Sequence, residues 1–538
     1  LSGPARVRLV HAQGPDRGTD AQREAGKQLY MKYCSQCHGD QGDGEGYATP
    51  HLLPKPRNFT TGKFKIRSTP SGLLPTHQDL VNVIRRGMPY TSMPGWPGLS
   101  DDDVSNLAYF ITTFSPEFSN PESAGQPIQI PSGPRATDET IQLGKKLYED
   151  AGCIKCHGAL GRGDGPSAPT LKDDWGAAIR PADLSQPWTF RGGPTREDIF
   201  RTMSTGLNGT PMPSFHDALQ PDQRWAITDF ILSLSGGGSG PSYTNLVIAK
   251  HVKDPIDVTK GAASFASAPV ARLPIVGQIM EPGRSFHPPA TNVTVQAIYD
   301  TESIALLVRW HDMSAEKEGK NGPALPVPAE EEEGAPAAAA TQAQEPADPF
   351  AEATAPAIPP SEFSDAVAIQ VPSQAIAGAR KPYFIFGDSQ DSVDLWFFDL
   401  ATSGPVQFTG KGSGDVAPKD TKDVTGAANY DQGEWSAIFK RPLRTESGAP
   451  FSQGEFTPIA FSVWDGFSRE RGNRRGLTLW QSLYVEPENV PSAIGPMVKT
   501  AFFILAIELV VVGWVRWQHG SRASGATGRP TQPATTRA

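Results

Sequence analysis

Apolar positions follow two regimes along this chain, a helical period in its first half and a two-residue period beyond. Thr19-Asp20 can cap a helix that runs through Leu29 to Tyr33. Ser100-Asp101-Asp102-Asp103 opens another, with Val104, Leu107, Ala108 and Ile111 in one stripe at helical spacing. That stripe reads as core against the first helix. A helix beginning near Thr195 carries Met203 on its core face. A further helix after Gln220-Pro221-Asp222 carries Trp225, Ile227, Phe230, Ile231 and Leu234. Residues 293–299 and 304–310 alternate and read as a hairpin turning at Asp300-Thr301-Glu302. Segments 367–371, 383–386, 435–440 and 459–464 read as further strands. Short strands separated by Gly, Pro and Asp predict a β-sandwich.

One more apolar run closes the pattern. Residues 500–515 are apolar except for Thr500 and Glu508. With its flanks, the span 494–517 reaches about 36 Å as a helix, against a bilayer core of about 30 Å. Trp514 and Trp517 suit the interface, and Arg516, Arg522, Arg529 and Arg537 follow with no acidic residue after Glu508. The positive-inside rule then places tail 518–538 in the cytoplasm and everything before the span in the periplasm, as a single-pass protein of the cytoplasmic (inner) membrane. An unpaired Glu508 at mid-membrane would cost about 3 kcal/mol, which points to burial against another membrane subunit.

Between the patterned stretches lie linkers. Residues 119–135 are rich in Pro, Ser and Gly, and 237–245 are rich in Gly and Ser. Residues 315–362 carry Glu330 to Glu333, Ala337 to Ala340 and repeated Pro, so they cannot offset ordering entropy by burial and read as a disordered acidic insert. The first 20 residues carry no long apolar run, and Val10-His11-Ala12 is similar to the end of a cleavage site, so residues 1–19 read as a trimmed N-terminal tail. The resulting layout is 20–118, 136–236 and 246–490 as domains, followed by the span. Composition fits several folded domains with loops between them: 538 residues, 38% hydrophobic, with 51 Pro and 54 Gly. A net charge of −9 argues against nucleic acid and allows attraction to a basic soluble protein.

The chemistry sits in a repeat. Cys34-Ser35-Gln36-Cys37-His38 recurs 119 residues later as Cys153-Ile154-Lys155-Cys156-His157, and the two pentapeptides hold all 4 cysteines. Gly26-Lys27-Gln28-Leu29-Tyr30 precedes one and Gly144-Lys145-Lys146-Leu147-Tyr148 the other. Met93 and Met212 both lie 55 residues after their histidine, followed by Pro and then by Trp96 or Phe215. Cys-x-x-Cys-His reads as c-type haem attachment, two thiols adding to vinyl groups and the histidine lying against the iron. Zinc half-sites, redox dithiols and disulfides are the alternatives, and the following His and the spaced Met count against them. Met88 competes with Met93, but Leu207 stands at the matching place in the second copy, so the repeat selects Met93. Met31 has no counterpart. Basic groups at Lys55, Arg57, Lys63, Lys65 and Arg67 either pair with haem propionates or line a solvated loop.

This arrangement resembles class I cytochrome c, over two units of about a hundred residues each. The resemblance implies two all-α domains with covalent haem c on Cys34, Cys37, Cys153 and Cys156. It also implies axial pairs His38/Met93 and His157/Met212. A thioether opposite an imidazole favours Fe(II) and raises the potential. Attachment of haem c resembles chemistry done outside the bacterial cytoplasmic membrane. A second resemblance covers roughly 246–487. Arg309-Trp310-His311-Asp312, Lys381-Pro382-Tyr383-Phe384 with Gly387-Asp388, Val393-Asp394-Leu395-Trp396, and Trp464-Asp465-Gly466 with Trp480 are similar to the haem-b-binding γ subunit of ethylbenzene dehydrogenase and related periplasmic molybdoenzymes. That family's b haem takes methionine and lysine ligands. Here Phe386 falls at the methionine and Arg474-Arg475 at the lysine, and arginine offers iron no lone pair. Met280, Met313, His287 and His311 are the possible substitutes, and buried packing or surface roles suit them better.

The expected role is electron transfer without catalysis: a dihaem cytochrome subunit of a membrane respiratory complex. Electrons would come from a quinol-oxidising cytochrome b or iron–sulfur partner and go to a soluble carrier or oxidase. The alternative is a γ-like subunit of a periplasmic molybdoenzyme. A dihaem peroxidase would need an open axial position, and a non-redox scaffold would not need the haems at all.

Overall fold

The computed structural model describes residues 16–235, 242–328, 361–375, 380–446, 448–488 and 494–523. The start of the tail, most of the 237–245 linker, the bulk of the acidic insert and the end of the C-terminal tail lie outside these residues. The chain divides into two compact units, Leu1–Val485 and Glu486–Ala538.

The first unit begins with two helical bodies built alike. The first holds α1 (Asp20–Tyr33), the short α2 (Ser35–His38), α3 (His77–Arg86) and α4 (Asp101–Ile111). The second repeats them as α5 (Asp138–Asp150), α6 (Ile154–His157), α7 (Arg196–Thr205) and α8 (Pro221–Leu234). The capping expectations hold. Thr19 closes a capping box with Gln22 on α1, and the Ser100 side chain accepts from Asp103 N on α4. The α4 stripe Val104, Leu107, Ala108 and Ile111 is buried, as is Met203 on α7.

The glycine at the head of each repeat now has a cause. A Cβ on Gly26 would stand 2.0 Å from the Asn106 carbonyl oxygen of α4, and one on Gly144 would stand 2.0 Å from that of Ala226 on α8. The first and last helices of each body therefore cross backbone to backbone, and only glycine fits. Tyr30 and Tyr148, one turn on, are buried at the same crossing and donate to the carbonyls of Gly39 and Gly158, each at 2.7 Å. Each tyrosine thereby ties a first helix to the residue that follows the motif histidine.

Beyond residue 242 the chain forms a large, mostly antiparallel sheet region. The expected hairpin forms between Asn292–Tyr299 and Ser303–His311, and Asp300 closes its turn by accepting from Glu302 N and Ser303 N. Strand Leu246–His251 pairs parallel with both Asn292–Tyr299 and Gln481–Val485. Strand Phe456–Trp464 serves both layers: residues 456–459 pair with Gln481–Val485 and 460–464 with Ala366–Pro372. The layers enclose one core that includes Trp310, Trp396, Trp435 and Phe461.

Two expectations fail here. Segment 383–386 is not a strand. The carboxylate of Asp388 accepts from Tyr383 N, Gln390 N and Asp391 N, and Phe386 takes a φ of +61°. Local carboxylate-to-backbone bonds outcompete the ladder. Strands such as Leu246–His251, Val393–Asp399 and Thr425–Asp431 were not expected as strands at all. Val393–Asp399 is buried along its whole length, so no polar face marks its period.

The second unit, taken by itself, is α9 (Ile494–Ala523). Its stretch Ile494–Gln518 has a mean hydropathy of 2.1 and is long and apolar enough to cross a membrane.

Because each glycine sits where a methyl would enter a backbone carbonyl, Gly26→Ala and Gly144→Ala should each destabilise their own helical body by about 1–3 kcal/mol. Denaturant titration followed by far-UV circular dichroism reads the loss. An unchanged midpoint in either variant would show that the helices can separate freely.

Candidate haem sites

The cysteines and histidines of the two motifs occupy matching places. Cys34 ends α1 and Cys153 immediately precedes α6, so each pentapeptide coils tightly and its histidine closes the short helix. His38 Nδ1 lies 3.0 Å from the carbonyl oxygen of Arg57, and His157 Nδ1 lies 2.9 Å from that of Ala182. A carbonyl only accepts, so Nδ1 carries the proton and the Nε2 lone pair is left for a metal. Phe59 stacks on His38 at 4.5 Å between ring centres. Burial lowers the pKa of both imidazoles, which keeps them neutral near pH 7 and fit to ligate.

The four thiols move the other way. Burial pushes Cys34 up to about 12, assisted by Cys37, and Cys153 up to about 11. Cys37 and Cys156 are raised by burial too. A zinc half-site or redox dithiol works through thiolate, and these surroundings oppose it. Thioether carbon–sulfur bonds carry no such charge.

The methionine loops superpose bond for bond. Met88 N donates to Met93 O at 3.0 Å, and Leu207 N donates to Met212 O at 3.1 Å. Thr91 Oγ1 donates to Met88 O and accepts from Met93 N, and Thr210 Oγ1 does the same with Leu207 O and Met212 N. Gly87 and Gly206 open the loops at φ +73° and +66°, and a Cβ there would stand 2.4 Å from Gly95 N or 2.6 Å from Ser214 N. Met88 thus corresponds to Leu207 and Met93 to Met212, as the repeat required. Met212 and Cys153 both pack against the core that includes Phe215 and Met203. The two threonines were not singled out in the sequence. They share the same 119-residue offset and could have been found through it.

The basic segment of the first body divides its work. Lys55 Nζ donates to Thr49 O, and Lys63 pairs with Asp174 of the second body. Arg67 is 2% exposed and donates to Thr205 O at 2.5 Å and Gly206 O at 3.3 Å. Arg57 lays its guanidinium over the Trp175 ring at 4.2 Å. The residues present fit a covalently attached haem. Each site offers two neutral thiols, an oriented imidazole and an anchored thioether, with half-buried cations beside the first.

In the sheet region, Phe386 and Arg475 meet directly. The guanidinium lies 3.8 Å from the centre of the phenyl ring, and both residues are buried. Met280 is exposed, Met313 is buried, His287 faces the His51 carbonyl and His311 the Gly433 carbonyl.

Comparison with known proteins agrees with the helical half. Residues 141–235 match the family described as cytochrome c, and residues 21–111 match cbb3-type cytochrome c oxidase subunit III. A protein of Haloferax mediterranei named as a respiratory nitrate reductase haem subunit is 28% identical over 135 residues, 25% of this chain and 47% of that protein. The chain thus spans about half the length of that relative. Cytochrome c-554(547) of Halothiobacillus neapolitanus is 32% identical over 95 residues, 16% of this chain and 92% of its own. Among solved structures, a chain of the Kuenenia stuttgartiensis reducing HAO-like protein complex is 41% identical. It covers 41% of this chain and 99% of its own, with a TM-score of 0.39.

Met93→His and Met212→His should each lower the midpoint potential of one haem, by removing the thioether, and leave the other nearly unchanged. Met88→His should move neither. Spectroelectrochemical titration reads all three, and a response to Met88→His in place of Met93→His would break the loop correspondence.

Proposed function

This chain belongs to the cytochrome c family, and we propose that it serves a respiratory complex as a membrane-anchored, periplasmic, dihaem electron-transfer subunit. The observation that carries the reading is the doubled site, in which every hydrogen bond that orients His38 and Met93 has a counterpart around His157 and Met212. Cys34 and Cys37 would hold one haem c, and Cys153 and Cys156 the other. The bound group supplies one-electron Fe(III)/Fe(II) chemistry. His38 with Met93 and His157 with Met212 would hold the two irons, each imidazole fixed from behind by a carbonyl and each methionine carried on a threonine-bonded loop. Irons held in this way would have no position open to a substrate, so shuttling suits the site better than peroxide chemistry.

Residues 246–490 act as a scaffold in this reading. His287 reaches the His51 carbonyl of the first body at 2.6 Å. Arg162 of the second reaches Gln432 O at 3.1 Å, and Arg180 meets Asp465 and Ser468. Both haem domains are therefore held on one support. The Phe386–Arg475 pair does not fit a b haem: it fills the place that two iron ligands would need with a phenyl ring and a guanidinium stacked together. We assign two c haems and no b haem. Span 494–517 anchors the chain, with tail 518–538 cytoplasmic. The donor would be a quinol-oxidising cytochrome b or iron–sulfur subunit, and the acceptor a soluble carrier or oxidase. Relatives named for nitrate reductase and matched to cbb3 oxidase support such a setting.

A γ-like subunit of a periplasmic molybdoenzyme is the second reading. It is favoured by the meeting of Phe386 and Arg475, since the two positions equated with that family's ligands should be neighbours. Molybdenum in the purified native complex would select it.

Acid–acetone extraction separates the haem types, because thioethers keep haem c on the protein. Two haems retained per chain and none extracted is the expected result; a stoichiometric extracted haem would make the chain a three-haem wire. Truncation after Pro491 should release a soluble protein with both c haems intact. If it stays with washed membranes, another element or a partner holds it there.

A further inference from the structure

Three cations converge where the two helical bodies meet. Arg57 and Lys65 come from the first and Arg191 from the second. The guanidinium of Arg57 lies on Trp175 at 4.2 Å, and a Cβ on Gly209 would stand 3.6 Å from its Nη1. Arg57 therefore touches the loop that carries Met212, while its own carbonyl holds His38 Nδ1. Ile66, next to Lys65, packs against Gly192, next to Arg191: a Cβ on Gly192 would lie 4.0 Å from Ile66 Cδ1. Arg86 of the first body holds the Arg191 carbonyl from the other side. All three side chains are half-buried.

Asp173 and Asp174 attract Arg57, and Asp173 attracts Lys65, but neither carboxylate makes an ion pair or hydrogen bond with them among the described residues. Asp173 Oδ1 accepts from Trp175 N and Ala177 N, and Asp174 pairs with Lys63. Among the described residues, none of the three cations has an ion-pair partner or a side-chain hydrogen bond. Burial lowers the pKa of each. It brings Lys65 to about 8, with Arg57 and Arg191 adding repulsion, and Arg57 to about 10. Half-buried like charges facing one another are costly unless an anion joins them.

We propose that Arg57, Lys65 and Arg191 form one anion site, shared between the two domains, that holds the propionate carboxylates of both haems. The inference rests on the haem c reading at both sites. Arg57 connects them, with its backbone behind one candidate iron ligand and its side chain against the loop of another. Planar guanidinium forks match carboxylates in two hydrogen bonds, and Lys65 adds a point charge. Because the site is shared, a charge removed on one domain is felt at the haem of the other.

The test is a spectroelectrochemical titration of the full-length protein in detergent, with the two waves assigned by the Met93→His and Met212→His shifts. Arg57→Gln, Lys65→Gln and Arg191→Gln should each move both waves to lower potential, because loss of a nearby cation favours the ferric state. Arg191→Lys should restore most of the shift, which a merely structural loss would not allow. If Arg191→Gln moves only the Met212 wave and Arg57→Gln only the Met93 wave, the sites are separate and the proposal fails. It also fails if the wild-type potentials follow phosphate concentration at constant ionic strength, since a free anion then fills the site. A pyridine haemochrome count on every variant keeps the parent reading distinct. Two haems per chain with unmoved waves sinks the shared site alone, whereas fewer than two in the wild type sinks both.

Discussion

The buried guanidinium of Arg67 is the interaction on which the paired architecture depends. It leaves the first body and donates to the carbonyls of Thr205 and Gly206, at the C-terminal end of α7. Both lie where a helix leaves its last carbonyls without backbone partners and carries the negative end of its dipole; the Thr205 hydroxyl also reaches Gly206 O, at 3.3 Å, and a cation is the fitting group for the pair. Gly206 is also where the Met212 loop begins. One arginine therefore satisfies a helix end, joins two domains and sets the entry of a candidate ligand loop. Removing it would take the donor from Thr205 O and leave Gly206 O to the Thr205 hydroxyl, and hydrogen bonds from a charged donor are worth about 1.5–3 kcal/mol. Gly72 N, which donates to Asn208 Oδ1 of the same loop, supports it from the other flank.

The sheet region meets the second body through a different kind of contact. Asp312, Glu316, Asp365 and Asp465 bring their carboxylates within 4.8 Å of one another, and all but Glu316 are buried. Burial, and then the neighbouring carboxylates, raise Asp312 and Asp365 well above the ordinary carboxylate range. Trp435 Nε1 donates to Asp365, and Arg180 of the second body caps Asp465. Arg180 lies two residues before Ala182, whose carbonyl orients His157. The sheet region thus meets the second body close to its candidate ligand histidine, as His287 meets the first body at His51.

The elements visible in advance were those whose surroundings are local. The α4 stripe, the Thr19 cap and the Asp300 turn depend on residues a few positions apart, and all three form as expected. Segment 383–386 misled because its apolar run is buried by being bent, with Asp388 supplying the turn and Phe386 turned inward onto Arg475. Strands such as Val393–Asp399 gave no alternation because both faces are covered.

Spacing in the chain alone determined the candidate ligands. A motif that must present two thiols and an imidazole to one ring can only be short and contiguous, and a repeat at constant offset then chose Met93 over Met88. The duplication also marked Gly26 and Gly144 as special without saying why. What only the tertiary structure decided is everything made between distant segments. The carbonyls behind His38 and His157 come from Arg57 and Ala182, 19 and 25 residues away by separate loops. Arg67 crosses 138 residues to reach Thr205. Arg57, Lys65 and Arg191 look like unrelated surface charges until the two bodies meet. Such contacts are set by how helices and sheets pack, and no local period records which loop will face which.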